Sequence, residues 1–382
     1  MKKLIAILVV FAMVATVAFA ETSVGGSVET RWIIAQQTNP DADVTTIGWG
    51  HAISLSLSTA NDEGTFGGTL KMTYADDAGG GTGQSGILMA GNNVRAERAF
   101  VWWQPIPQIR FFLGEDGDGL MNSANIIRWA HHRMPRGISR EDWDQSNFLL
   151  GNYDNFGAVV SIMPIDWITL HVALALGGRE GEGSYGPMVF YDDSAAEAGL
   201  LQRRLQVQAV IAPEGIGTFY LTYRQRYVSG WPVDGSDRIG ITYLSASFID
   251  GLQFEVGGNY ALLENYVNPL RIGIGATYSI EDFGVKFRAV MQPIEKPAVG
   301  DTPHGGLMLR MDIMPFYQFD FGSVYLNFRI NTNSNNKVGW HINPYLKLNV
   351  GVGDFRVGLM VEDENGDGDA SWRFPISMLV SF

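Results

Sequence analysis

After residue 20 the sequence alternates. Stretch after stretch places an apolar side chain on every second residue with polar ones between, the two-residue period of a β-strand with two chemically different faces. Val24, Gly26, Val28, Thr30, Trp32 and Ile34 alternate with Gly25, Ser27, Glu29 and Arg31, and Ile53, Leu55 and Leu57 alternate with Ser54, Ser56 and Ser58. Later stretches keep the phase more sharply. Leu205, Val207, Ala209 and Ile211 oppose Arg204, Gln206 and Gln208; Val324, Leu326, Phe328 and Ile330 oppose Tyr325, Asn327, Arg329 and Asn331. Each is close to the nine to eleven residues, roughly, of one tilted strand across a bilayer. A long chain built almost only of such strands must cover an apolar face on each of them, which restricts it to a sandwich or a closed barrel.

The first twenty residues belong to a different regime. Lys2 and Lys3 precede an apolar run from Leu4 to Val17, and Ala18-Phe19-Ala20 forms a small-residue cleavage site before Glu21, the layout of a secretory signal peptide cut after Ala20. Its loss shortens the 382-residue chain to 362 and, with two lysines gone and no acid, moves the formal charge from −13 to −15. No later stretch approaches the roughly 18 consecutive apolar residues of a spanning helix. If the mature chain is in a membrane, it crosses with strands. Cysteine is absent, so ladder hydrogen bonds and packing must hold an exported chain together. The acidic balance argues against a nucleic-acid partner, which wants a basic face.

Two kinds of connection separate the strands, and they take turns. Tight ones occur at Pro105 to Gln108, Pro164 to Asp166, Pro213 to Gly217, Asp250-Gly251, Glu281-Asp282, Asp320 to Gly322 and Gly351 to Asp354. Long, polar, mostly acidic ones occur at Ala75 to Asn92, Glu115 to Asn155, Gly178 to Gln202, Gln292 to Gly305 and Glu362 to Ala370. Short turns at one rim and long loops at the other are the layout of a transmembrane barrel. Trp32, Trp49, Tyr74, Trp102, Tyr260, Tyr278, Trp340 and Trp372 recur at strand ends, where interfacial girdles lie. The expected fold is all-β: one antiparallel transmembrane barrel over residues 21–382, of about 18 strands. Sixteen is the rival count, because the second and fourth strands are weakly phased.

The last stretch, S-W-R-F-P-I-S-M-L-V-S-F, has Trp372, Phe374, Ile376, Met378, Val380 and Phe382 on one face and Arg373, Ser377 and Ser381 on the other. An apolar face that ends on an aromatic at Phe382 resembles the closing strand of bacterial outer-membrane β-barrels. With the signal peptide, the rim asymmetry and a long third loop, the whole mature chain resembles a porin in layout. That resemblance implies an outer-membrane location and Phe382 as part of the signal read by the barrel-assembly machinery. It also implies contact with outer-membrane lipid and lipopolysaccharide, and a homotrimer, for which no residue here marks an interface.

A wall of 16 to 18 strands leaves a lumen that its own side chains cannot fill. Strands start just after the cleavage site, leaving no room for an N-terminal plug, so the expectation is a channel for small hydrophilic solutes. The alternation points Arg31, Lys71, Arg110, Arg204, Arg224, Arg226, Arg271, Lys286, Arg288, Arg310, Arg329, Lys347, Arg356 and Arg373 inward. The same faces carry only Glu29, Glu255, Asp312 and Glu362, so an acidic chain is expected to have a basic pore that favours anions. The longest loop carries Glu115, Asp116, Asp118, Glu141, Asp142, Asp144 and Asp154 beside Arg128, Arg133, Arg136 and Arg140. In general porins the third outer loop folds into the lumen as a constriction; by that resemblance these carboxylates would face the wall arginines and set a transverse field. Trp129, Trp143 and Tyr153 would instead suit a sugar-specific channel. A surface adhesin or receptor, using only its outer loops, and a soluble secreted β protein are the competing classes.

Other motifs carry less. Gly81, Gly83 and Gly86 spell G-x-G-x-x-G, but Asp76 to Gly80 before them are loop rather than strand, so the motif reads as flexibility. Asp363, Asn365, Asp367, Gly368 and Asp369 match the start of a calcium loop whose closing position is Phe374 instead of glutamate, leaving at most a loose divalent-ion site. His131 and His132 point apart on any regular element, and His51, His171 and His341 form no Ser/His/Asp set by spacing. No cofactor or enzyme activity is expected.

Overall fold

The computed structural model describes residues 21–37, 40–44, 48–77, 94–116, 121, 156–175, 204–224, 237–262, 270–294, 306–332, 337–363 and 366–382. They form strands β1 (Glu21–Gln37), β2 (Gly48–Ala60), β3 (Phe66–Asp77), β4 (Val94–Ile106), β5 (Ile109–Asp116), β6 (Phe156–Ile165), β7 (Ile168–Ala175), β8 (Arg204–Ile211), β9 (Gly217–Arg224) and β10 (Arg238–Ser245). The series continues with β11 (Leu252–Ala261), β12 (Leu270–Ile280), β13 (Phe283–Ile294), β14 (Gly306–Phe319), β15 (Gly322–Thr332), β16 (Val338–Val350), β17 (Gly353–Gly358), β18 (Met360–Asp363) and β19 (Ser371–Ser381). Apart from β17 and β18, which both lie between β16 and β19, each strand pairs antiparallel with its neighbours in sequence, and β1 closes the sheet against β19.

β17 and β18 are one strand interrupted at Leu359. Both halves pair with β16 on one side and β19 on the other in unbroken register, so the barrel has 18 staves. The interruption has a chemical cause. Leu359 donates its N–H to the Pro344 carbonyl at 3.0 Å, but Pro344 has no N–H to return, and the ladder lapses for one residue. Pro375 has the same effect on the other seam: opposite it the β1–β19 register shifts between Ile33 and Ala35, a bulge that absorbs Ile34. A further bulge in β4, beside the Lys71/Met72 step of β3, moves the inward parity of that strand midway. This is why its phase is faint in the sequence.

Burial is reversed relative to a soluble protein. Ile239, Ile241, Ile274, Val324 and Leu326 are exposed, while Gln206, Gln208, Thr222, Glu255, Arg288, Asp312 and Asn327, on the opposite parity, are buried. The apolar band therefore faces outward, as lipid requires, and the polar face turns to the lumen. Closure is required there as well, since an open sheet edge in hydrocarbon would leave backbone groups without partners.

The turns Pro107-Gln108, Asp166-Trp167, Glu281-Asp282, Asp320-Phe321 and Gly351-Val352 all fall at the rim where β1 begins and β19 ends. Exposed aromatics gather there, among them Trp103, Trp167, Phe248, Phe283, Tyr317 and Phe321, with Trp103 stacked on Phe111 at 5.6 Å. Trp102 departs from its expected place in that girdle. It lies in register with Gly67 and Phe112, on the inward parity, because the β4 bulge has shifted the phase and its neighbour Trp103 takes the outward position.

Candidate functional site: the lumen wall

The inward residues line up in rows across the strands, since directly paired positions share a face. One row runs Glu255, Gly275, Arg288, Asp312, Arg329, His341 and Glu362. Asp312 sits between two arginines. Arg288 donates from Nε and Nη2 to Asp312 Oδ2 at 2.8 and 2.7 Å, and Arg329 Nε donates to Oδ1 at 2.6 Å. Arg288 and Asp312 are both 0 % exposed, so this triad is a desolvated unit that satisfies both carboxylate oxygens. Farther round, Glu362 lies 3.4 Å from Arg373 and 3.7 Å from His341.

A second paired group sits near the turn rim. Arg356 grips Asp354 with two hydrogen bonds of 2.6 and 2.9 Å, and Lys347 stands 3.6 Å away. Asp354 is expected in the turn Gly351 to Asp354. The turn is Gly351-Val352, with Gly351 at φ 59, and Asp354 is already in β17 on the lumen face. Arg238 was also missed, being the first residue of β10; it is buried, lies opposite Arg224, and donates to Asn259 Oδ1 at 2.7 Å.

The remaining expected wall cations occupy the same parity. Lys71 pairs in register with Ser56 and Arg98, Arg110 with Ser161, Arg271 with Asn259, Lys286 with Thr277 and Met314, and Arg310 with Val290 and Asn331. Arg31 stands in register with Ser377 and Gly50, and Arg204 with Ala175. Arg226 lies outside the described residues. Arg110 rests its guanidinium 4.5 Å over the Trp102 ring.

Of the long third loop, Glu115 and Asp116 form the end of β5, and Asp118, Arg128, Arg133, Arg136, Arg140, Glu141, Asp142 and Asp144 lie outside the described residues. Met121 is described, and it is informative. It is fully buried against Val159 and Ala173, with Phe112 beside them, and all three belong to inward rows. At Met121, therefore, the loop is packed against the inner surface of the barrel.

The lumen also has an aromatic strip; the alternation already sets Tyr325 on the polar parity, but it assigns large apolar residues such as Phe316 to the lipid side and so does not reveal the strip as a whole. Phe316, Tyr325 and Tyr345 lie side by side on β14, β15 and β16, the first pair stacked at 5.7 Å and the second at 4.5 Å with rings 13° apart. Gly284 makes room for the first ring. A Cβ there would meet Phe316 Cζ at 2.2 Å, so glycine on β13 and aromatic on β14 fit as a pair.

The acidic loop after β18 is closed by its own main chain. Asp363 accepts the N–H groups of Gly366, Asp367 and Gly368 at 2.8, 3.2 and 2.9 Å, and Asp367 accepts that of Asp369 at 3.1 Å. Among the described residues no His, Cys, Asp and Glu group has the grouping of a metal site. His171 Nδ1 and Ser161 Oγ are 2.8 Å apart on the wall, but the next residue in their row is Gln208 rather than a carboxylate.

No family model matches the chain, and no curated protein matches it by sequence. Solved structures do. The fold resembles OccAB4 of Acinetobacter baumannii with a TM-score of 0.60 at 8 % identity, over 95 % of this chain and 98 % of that one. It resembles OpdQ of Pseudomonas aeruginosa with a TM-score of 0.60 at 9 % identity, over 95 % and 99 % of the two chains. The fold is that of an outer-membrane porin. A BenF-like porin from Pseudomonas fluorescens Pf-5 aligns equally fully, with a TM-score of 0.58 at 10 % identity over 95 % and 100 %. At such identities the porin likeness is one of architecture, and residue roles must come from this chain's own wall.

Proposed function

We propose that this protein is an outer-membrane channel that passes small hydrophilic solutes passively and favours anions. The observation that carries the reading is the composition of the inward rows. Among the described side chains the wall bears Lys71, Arg110, Arg224, Arg238, Arg271, Lys286, Arg288, Arg310, Arg329, Lys347, Arg356 and Arg373 against Glu29, Glu255, Asp312, Asp354 and Glu362. The acids stand on strands from β11 round to β1, so the wall from β3 to β10 presents cations without a described inward acid side chain. In a confined lumen such an excess raises the local concentration of counter-ions and excludes co-ions. Met121 on the inner wall supports the third loop as the constriction.

Purified protein in a planar bilayer under a salt gradient tests this directly. Steady conductance steps with an anion-selective reversal potential are expected, and exchanging the more exposed wall cations Lys71, Arg110 and Lys347 for glutamate should move the potential towards cation selectivity. Correctly folded barrels that give no conductance would overturn the channel and favour a surface receptor. Cation selectivity of the unaltered protein would keep the channel and overturn the basic-wall reading.

A further inference from the structure

Inward residues at mid-strand differ in exposure from one side of the barrel to the other. From β6 to β16 the middle of each strand carries a buried one; Val159, Gln208, Thr242, Glu255, Arg288 and Asp312 are each 2 % exposed or less. From β1 to β5 the wall stays open. Ser27, Ser54, Ser56, Ser58, Thr69 and Lys71 are all partly exposed, as are Trp102, Arg110 and Phe112. These side chains lie on the inward parity, so what they are exposed to is the lumen. On β1 the open stretch ends at Glu29, which is buried.

Side-chain size explains the contrast on β1, β2 and β3, where serine, threonine and glycine replace the arginines, glutamines and asparagines of the far wall. With 18 staves, β10 and β11 stand opposite β1 and β2, and Thr242 and Glu255 on them are closed off where Ser27 and Ser54 are open. The open sector has a chemistry of its own. Ser27 Oγ lies 2.8 Å from Ser54 Oγ, and Ser58 Oγ 3.1 Å from Thr69 Oγ1. One proton serves each pair, which leaves the other hydroxyl's proton for a further acceptor. Lys71 stands in register with Ser56, and Arg110 lies on the Trp102 ring. Among the described inward cations from β3 to β10, Lys71 and Arg110 are partly exposed while Arg224 and Arg238 are buried. At the β5 edge, Phe112 packs beside Met121, so the third loop borders this sector at that residue.

We infer that solutes cross the barrel off its axis, along a lane on β1–β5. In the lane, hydroxyl groups take over part of the hydration of a small anion, and Lys71 and Arg110 select its sign. The lane rests on the channel reading, and its test separates the two.

The chain has no cysteine, so single cysteines can be introduced without background. Ser54→Cys, Ser56→Cys and Thr69→Cys probe the lane; Thr222→Cys and Thr242→Cys, on β9 and β10, probe the closed arc, and heat-modifiable gel migration identifies folded barrels. In planar bilayers a negatively charged methanethiosulfonate should cause a stepwise loss of single-channel conductance in the three lane variants. It should also shift their reversal potential towards cation selectivity, most strongly in Ser56→Cys beside Lys71. A positively charged reagent should lower conductance without that shift. Neither reagent should act on Thr222→Cys or Thr242→Cys. Equal losses on the two arcs would overturn the lane and leave the channel standing, as would lane cysteines that react without loss of conductance or do not react. Folded barrels without conductance would overturn both.

Discussion

Asp312 shows how a single side chain can set the character of a pore wall. Its two oxygens are fully used by Arg288 and Arg329, and all three groups lie beneath the lumen surface. Removing the carboxylate leaves two buried guanidinium groups facing one another, and breaking a buried pair in this way costs about 3–5 kcal/mol. Asp312→Asn should therefore lower the urea midpoint of the detergent-solubilised barrel substantially. Replacing Arg288, Asp312 and Arg329 together by apolar residues of similar volume should recover most of that loss. An unchanged midpoint in Asp312→Asn would mean that lumen water already solvates the arginines.

At the level of the strands, proline and glycine decide where the ladder yields. Pro344 opens β17–β18 at Leu359 without changing the register on either side, whereas Pro375 faces the bulge in β1, beyond which the β1–β19 pairing is shifted by one residue. Glycine acts in the opposite sense, by admitting a ring. Gly284 lies under Phe316, and Phe316 begins the stack that continues through Tyr325 to Tyr345. Gly284→Ala should displace the ring and destabilise the barrel by about 1–3 kcal/mol, the usual range for overpacking. Phe316→Leu in the same chain should relieve much of that loss, which a double-mutant cycle of urea midpoints would read as coupling between the two sites. Additive losses would show that the ring moves aside freely.

Over the whole molecule the critical seam is the one between β1 and β19, since it joins the first strand of the barrel to the last. Phe382 exchanges both backbone hydrogen bonds with Gly26, at 2.9 and 3.0 Å, and its ring lies over that glycine on the lipid side. A Cβ at Gly26 would come within 2.7 Å of the Phe382 ring and 2.6 Å of the Ser54 carbonyl. Gly26→Val should thus open the seam at a lower temperature, read as a drop in the temperature at which the gel-mobility shift occurs. Deleting Phe382 should do the same. A shift temperature equal to that of the unaltered protein in Gly26→Val would show that the terminal ring does not brace closure.

Much of this architecture was legible from residue order. The two-residue alternation fixed which face of each strand meets lipid, because burial in a bilayer tolerates only one polarity. It also placed Arg288, Arg310, Asp312 and Arg329 on the lumen side, and the alternating turn and loop lengths separated the rims. Other features lie beyond a reading of that kind. The pairing of Asp312 with two arginines from flanking strands depends on register, which prolines and bulges adjust locally. Phe316 and Trp102 run against the rule that apolar residues face out, since rings in the lumen are covered by neighbours that are distant in sequence. Asp354 falls outside its expected turn because Gly351, with its positive φ, completes the bend with Val352 alone, and β17 resumes at Gly353. Composition and period thus determined the barrel and its polarity, while tertiary register alone decided which charges neutralise each other, because a carboxylate meets its arginines only where the strands that carry them are paired in the right phase.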